Sequence, residues 1–529
     1  MRYITTSLTI AALFISAAVH AQNLNPQVQV TNDYKAELGK SGKQSVPLEV
    51  PDSLNIFRTS VSYNVFATPY KGSYEFVPYE ISVTPQKPAS DASVFYLKAG
   101  AGYSFHPELT AIWNPLQGLN KHSLTVFEHF NGYAGKYASL DARPDYSGHD
   151  LSQAIGIEGR WFHDAFTLGY GLDYQGIYTG DFDGNINFND FTLRGKIRSN
   201  TDAKIVYNLD VEVNQAFDRQ VAQTGIKAEG GFFPNWRLPF ELRLDFNIDS
   251  DFYENGGYDN LFVAQVSPKA LYEWSVVRLA AGVTLSPASD IQWIYPDVNL
   301  TVDLFDDNLQ AYAFAKGGQL VMSYSDLKHA DHWFNSTYTN VMKPTLERLN
   351  AALGFRGSAF KYFQYDIRGG WASYSSAPMR SYKANALNAA YRDCGIVYAD
   401  YNTWYADADA HWKTSRLNVD ANLHYRHTNI VPNGNYLDLP KFAGRIDIMY
   451  NWYSRIFAGI NCSGQTAQDA STDPVPGFID LGLKGEYLFS KRFGVWANVG
   501  NLLNSKITLS PLHMQKGVYF TAGVSFDLR

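Results

Sequence analysis

Cysteine is nearly absent. Cys394 and Cys462 are the two in 529 residues, too few for a disulfide framework to carry the fold. No stretch beyond the N-terminus reaches the roughly 18 consecutive apolar residues of a membrane-crossing helix, which excludes a helical membrane protein. An excess of positive charge is missing too. The 44 Lys and Arg against 51 Asp and Glu leave a formal net charge of -7, no footprint for nucleic acid. Local catalytic and metal signatures are also lacking: there is no His-Glu-x-x-His, no paired-cysteine zinc spacing and no Gly-x-Ser-x-Gly elbow. The acidic run Asp181–Asn185 lacks the bidentate glutamate of a calcium loop. His106, His122 and His129 are scattered along the chain, and His329 and His332 lie close together in an expected outer loop. The expectation is a protein that is not an enzyme, with no cofactor, no metal and no catalytic residue.

What the chain has instead is aromatics and alternation. Phe, Trp and Tyr make up 15% of the residues and charged residues 18%, a balance that suits strands with aromatic belts at two lipid–water boundaries. From Phe478 onward Ile479, Leu481, Leu483, Tyr487 and Phe489 alternate with Asp480, Lys484 and Glu486. Val518 to Leu528 repeats the pattern. A strand sends the two sets to opposite faces. Ile205–Asn214, Leu242–Asp249, Leu349–Arg356, Arg416–Arg426 and Arg445–Tyr450 do the same. A sandwich core would not tolerate ions at every second position, whereas a wet lumen satisfies them. Segments of roughly 10 to 14 residues match tilted transmembrane strands, and closure removes the edges that hydrocarbon penalises.

The sequence therefore predicts an all-β fold, a closed antiparallel transmembrane β-barrel over 91–529 with about 22 strands, 20 or 18 being the nearby even alternatives. Long loops are expected at 131–152, 180–190, 249–261, 323–344, 373–398 and 466–477, with a short helix within 326–342. Arg194, Asp210, Glu212, Arg243, Asp245, Arg356, Arg416, Asp420, Arg445 and Asp447 are expected to face the lumen, as a polar conduit or as a salt-bridged wall.

The N-terminus reads as an export signal over 1–21, with Arg2, an apolar run from Leu8 to Val19, and Val19-His20-Ala21 before the cut. Residues 22–90 differ from all that follows. Pro47, Pro51, Pro69, Pro78, Pro85 and Pro88 argue against central strands, and Phe57, Tyr63, Phe66, Tyr70, Tyr74, Phe76 and Tyr79 crowd a segment that otherwise reads as a leader. The reading is an extended arm that docks on a partner or gates the lumen.

The segments Asp480–Tyr487 and Lys491–Leu503, with the terminal Gly523–Arg529, resemble the last barrel strands of TonB-dependent receptors. That resemblance implies a barrel of about 22 strands with a plugged lumen. The 22–90 region is short for a plug and lacks its glycine-rich pattern, so the chain is similar to a plugless relative of the kind carried by Bacteroidota. It implies an integral outer-membrane protein in contact with outer-membrane lipids, both termini periplasmic. Three functions are expected in this order: an accessory part of a larger outer-membrane complex with outer-membrane or periplasmic protein partners, for insertion, secretion or transport; a passive or gated channel for small polar solutes; and TonB-coupled uptake.

Overall fold

Alternating sequence becomes an inside-out wall. Leu172 pairs with Leu193, and Leu193 with Val213; Leu172 and Leu193 are 53% and 57% exposed. Their chain neighbours Asp173 and Thr192 are 3% and 5% exposed on the other face. A soluble protein buries its leucines and exposes its aspartates; this wall does the reverse, which fits a barrel with hydrocarbon outside.

The computed structural model describes residues 93–528 apart from 117–120, 139–144, 182–183, 201–202, 235–239, 255–256, 287–292, 306–307, 335–341, 360–361, 385–391, 431–437, 470–473 and 511–512. The expected export signal and the arm at 22–90, with Phe57, Tyr63, Phe66, Tyr70, Tyr74, Phe76 and Tyr79, lie outside the described residues.

The described strands form one sheet. Each pairs antiparallel with the next, and Phe95–Tyr103 closes the circle against Tyr519–Leu528. Two short strands, Ile507–Ser510 and His513–Gln515, form a hairpin above the wall, joined to it at Tyr137 and Ala138. The other 22 of the 24 strands make the closed barrel. Because Phe95 pairs with Leu528, the barrel's first and last strands enter and leave at one end. That is the termini end; the opposite end is the loop end.

Exposed aromatics ring the termini end, among them Trp113, Trp161, Trp274, Trp412 and Trp452. A second set, including Tyr103, Trp293, Phe262, Phe442 and Phe520, lies toward the loop end. Amphipathic rings favour the two lipid–water boundaries. Among the described residues no helix is long and apolar enough to cross a membrane, so crossing falls to the strands.

The expected loops need correction. Residues 131–152, 180–190, 249–261 and 373–398 are largely strand: the wall hairpins His122–Ala138 with Tyr146–Phe162, Phe166–Asp181 with Gly184–Ser199, and Phe363–Ala384 with Arg392–Lys413 run well past the lipid-crossing length, and Glu241–Glu254 continues to its own turn. Above the bilayer a strand meets water on both faces and needs no apolar alternation, so its polar residues read as loop. The 323–344 and 466–477 segments are loops. The helix of the first, α1 (Tyr324–Ala330), starts earlier than expected, and 335–341 lie outside the described residues. Ser323 and Asp326 cap it reciprocally, a capping box that fixes its start.

Candidate functional site: the lumen and its roof

Inward side chains line the wall in linked charge clusters. Arg194 donates to Asp173 and, at 3.0 Å, to Glu212, and Lys196 reaches Asp210 at 3.0 Å. Asp245 accepts from Arg243 at 2.5 Å and from Lys269 at 3.1 Å, and Lys269 also reaches Asp297 at 2.6 Å. Arg356 donates to Gln310 at 2.5 Å and lies over the Tyr312 ring. Asp407 is 2% exposed and accepts from Arg426 at 2.6 Å and from Arg368 and His424 at 2.9 Å each. Opposite charges placed on facing positions of neighbouring strands hold one another in the lumen, although the second oxygens of Asp173 and Asp210 are buried without a hydrogen-bond partner among the described residues.

On the other side of the barrel the wall stands back from a cavity of about 690 Å³. Asp447 bridges Arg445 at 2.5 Å and Lys484 at 2.9 Å, two cations on one carboxylate. Lys98 pairs with Glu108 and lies 4.1 Å over the Trp496 ring. Thr110 and Asn131 hold the two ring nitrogens of His129 at 3.0 and 3.1 Å. Asp420 accepts from His411 at 2.7 Å and from Asn418 at 3.0 Å. Arg416 sits in the exposed turn before Leu417, at the cavity's rim by the termini end. Both signs and several aromatic faces thus border one space, which suits a small polar solute that carries hydrogen-bonding groups. Among the described residues no cluster of His, Cys, Asp and Glu has the geometry of a metal site.

The loop end of this space is roofed. Residues 321–334 fold inward across the mouth and are tied to several wall strands. Tyr324 donates to Asp218, and Ser325 to Asp190, while the Ser325 amide donates to Gln223 at 2.9 Å. Lys227 meets Asp326 at 3.3 Å and Arg380 meets Asp331 at 2.8 Å. Tyr324 and Leu327 are buried with Phe188, Val221, Tyr258 and Met342 in an apolar cluster under the loops. At its far side Trp333 stacks on His513 of the upper hairpin with ring centroids 3.8 Å apart. His332 bonds Asp150 at 2.7 Å. Burial opposes its charge, but the Asp150 carboxylate outweighs burial and raises its pKa above the usual histidine value.

The expected lumen residues therefore fall into several separate clusters: Arg194 with Glu212, Asp210 with Lys196, Arg243 with Asp245, and Arg445 with Asp447, with Asp420 and Arg416 along the cavity. The roof was not legible as a site. His329 and His332 stood out as a close pair, yet their partners Asp190 and Asp150 lie 139 and 182 residues away.

No family model and no curated protein matches the chain. Solved structures match its fold. The FrpB iron transporter from Neisseria meningitidis (F3-3 variant) superposes with a TM-score of 0.60 at 10% identity, over 82% of this chain and 81% of that one. Copper transporter OprC gives 0.55 at 13%, over 83% and 80%. The siderophore receptor PirA from Acinetobacter baumannii gives 0.56 at 10%, over 82% and 80%. At these identities the likeness establishes the fold alone, the closed barrel that the chain shares with these transporters and receptors. A closed wall of this kind, apolar outside and ionic inside, is the architecture of an integral outer-membrane protein.

Proposed function

We propose that this chain is an outer-membrane transporter that admits a small polar solute through its lumen, with the inward-folded 321–334 segment as the closed outer gate. In this reading both termini are periplasmic and the loop end faces outward. The observation that carries it is the roofed cavity: a space bordered by paired charges and aromatic faces, closed at the loop end by a segment that polar contacts hold in place. The fold likeness to iron, copper and siderophore transporters supports uptake, including energy-coupled uptake, ahead of the accessory role expected first from the sequence. A passive gated channel remains the second reading, favoured by the mixed charge of the lining. The arm at 22–90 stays in the proposal as a gating or coupling segment.

Uptake of a panel of labelled small solutes by cells with and without the protein tests the proposal. Loss of uptake of at least one solute is expected. If that loss is reproduced by collapsing the proton-motive force, the energised reading holds; if not, passage is passive. Equal uptake of the whole panel in both strains overturns transport.

A further inference from the structure

The outward rows between the two aromatic girdles are apolar with one acidic interruption among the described residues. Glu128 pairs in register with Ile155 and Ala111. Ile155 and Ile157 beside it are exposed, and the inward neighbour Phe127 faces Gly156 within the lumen wall. Glu128 therefore points to lipid. It stands six residues along its strand from His122, which pairs with Trp161 of the termini-end girdle. Six residues of a strand tilted by about 45° rise roughly 14 Å, near the middle of an apolar band about 25 Å tall. The other outward carboxylates, Glu254 and Asp400, each lie thirteen residues from the termini end of their strands, beyond the roughly 9 to 11 residues that cross the hydrocarbon.

Within the chain Glu128 is poorly served. Its one hydrogen bond comes from Gln153 Nε2 at 3.4 Å, on the adjacent strand. One carboxyl oxygen and further donor and acceptor capacity of the carboxamide face hydrocarbon, where no water can complete them. An ionisable side chain at such depth marks a contact or a function.

We propose that the face around Glu128 and Gln153 is the interface of a dimer of this chain in the membrane. The patch holds an acceptor and a donor side by side. A twofold axis between the two strands sets Gln153 of each copy against Glu128 of the other, so both unmet groups are paired twice over by the same contact, as an isologous interface requires. A partner offering only cations would leave the carboxamide unmet. Ala111 in register with Glu128, and Ala99 one strand further along that side, keep the adjoining surface low enough for close approach.

The test is crosslinking in native outer membranes. In a background with both native cysteines replaced, Cys394→Ser and Cys462→Ser, Ile155→Cys beside the patch is expected to give a crosslinked species of twice the chain's mass with a short bis-maleimide, while Leu353→Cys, lipid-facing on a distant strand, is not. Adding Glu128→Leu, which leaves the crosslinking site intact, is expected to cut the product about tenfold, the loss of roughly 1.4 kcal/mol of association. Heat-modifiable gel mobility of each variant reports that the barrel is folded. Equal crosslinking from residues 155 and 353, product unchanged by Glu128→Leu, product at the mass of a different protein, or no product from a folded Ile155→Cys barrel each overturn the proposal.

Discussion

Asn501 shows what a single residue does here and why its motif reads so clearly. Its backbone is in the left-handed region at φ 50°, which asparagine tolerates better than most residues. Its amide donates to Asp480 at 2.9 Å, and its side chain accepts from the Ser505 amide and donates to the Ser505 and Gly517 carbonyls. One residue thus turns the chain off the wall and pins the long final loop. Asn501→Ala loses the side-chain bonds and strains the turn, and is expected to destabilise the barrel by about 2 kcal/mol or more; Asn501→Asp keeps the Ser505 amide bond but sets a buried carboxylate oxygen against the Ser505 and Gly517 carbonyls, and costs at least as much. Urea unfolding in detergent or lipid reads the difference. Asp407 is the second such residue. Replacing it with alanine takes the carboxylate from Arg426, which is 8% exposed and keeps the Tyr425 carbonyl and the Tyr405 ring, and from Arg368, so a loss of about 3 kcal/mol is expected on the same measurement. Asn501 was legible in the sequence only through the resemblance of Lys491–Leu503, and Asp407 did not stand out. Their partners were not legible, because alternation assigns a face and says nothing of which neighbour on the next strand a carboxylate will choose.

At the scale of elements, the lipid-crossing strands were legible and the structure above them was not. Hydrocarbon imposes a period of two only where it touches the wall, so the water-exposed extensions of Phe363–Ala384 and Arg392–Lys413 carried no such signal. The roof is held by polar bonds to distant strands and by the Trp333–His513 stack, so its docking responds to pH. His332 has its pKa raised by Asp150, helped by Asp331 and opposed by burial and Lys328. A raised histidine value means that its contribution to docking is fully present below about pH 6.5 and is lost as pH rises through the higher folded value. Asp438, whose neighbour Leu439 packs in the apolar cluster under the roof, is pushed by burial to about 6, so its ionisation disfavours that packing as pH rises from about 4 toward 6. Alkalisation is therefore expected to open the mouth. Single-channel recordings should show conductance rising with pH from about 4 upward, with His332→Phe flattening the part above about pH 6.5. Trp333→Ala, which removes the stack on His513, is expected to raise open probability at every pH; recordings indistinguishable from the unaltered protein would mean that the roof does not gate.

The whole molecule is a wall whose outside is set by lipid and whose inside is set by whatever passes. Closure followed from counting alternating segments, because hydrocarbon forbids a free edge; the number did not, since a missed hairpin changes the count by two and still closes, so 20 and 18 stood beside the 22 that the pairing shows. Function was less legible, since paired charges look the same in a conduit and in an inert lining. The two differ in what happens when the pairing is unbalanced. Asp447 holds both Arg445 and Lys484, and Asp480 lies within electrostatic reach of Arg445, so two cations face two carboxylates there. Lys484→Glu turns that balance into an excess negative charge without touching the roof. If solute and ions pass this point, a protein opened by Trp333→Ala should shift its reversal potential toward cations when Lys484→Glu is added, because charge rings inside a narrow low-dielectric passage set which ions enter. Should the reversal potential of the double variant equal that of Trp333→Ala alone while conductance persists, the ions cross elsewhere and the cavity beneath the roof is a lining rather than a path.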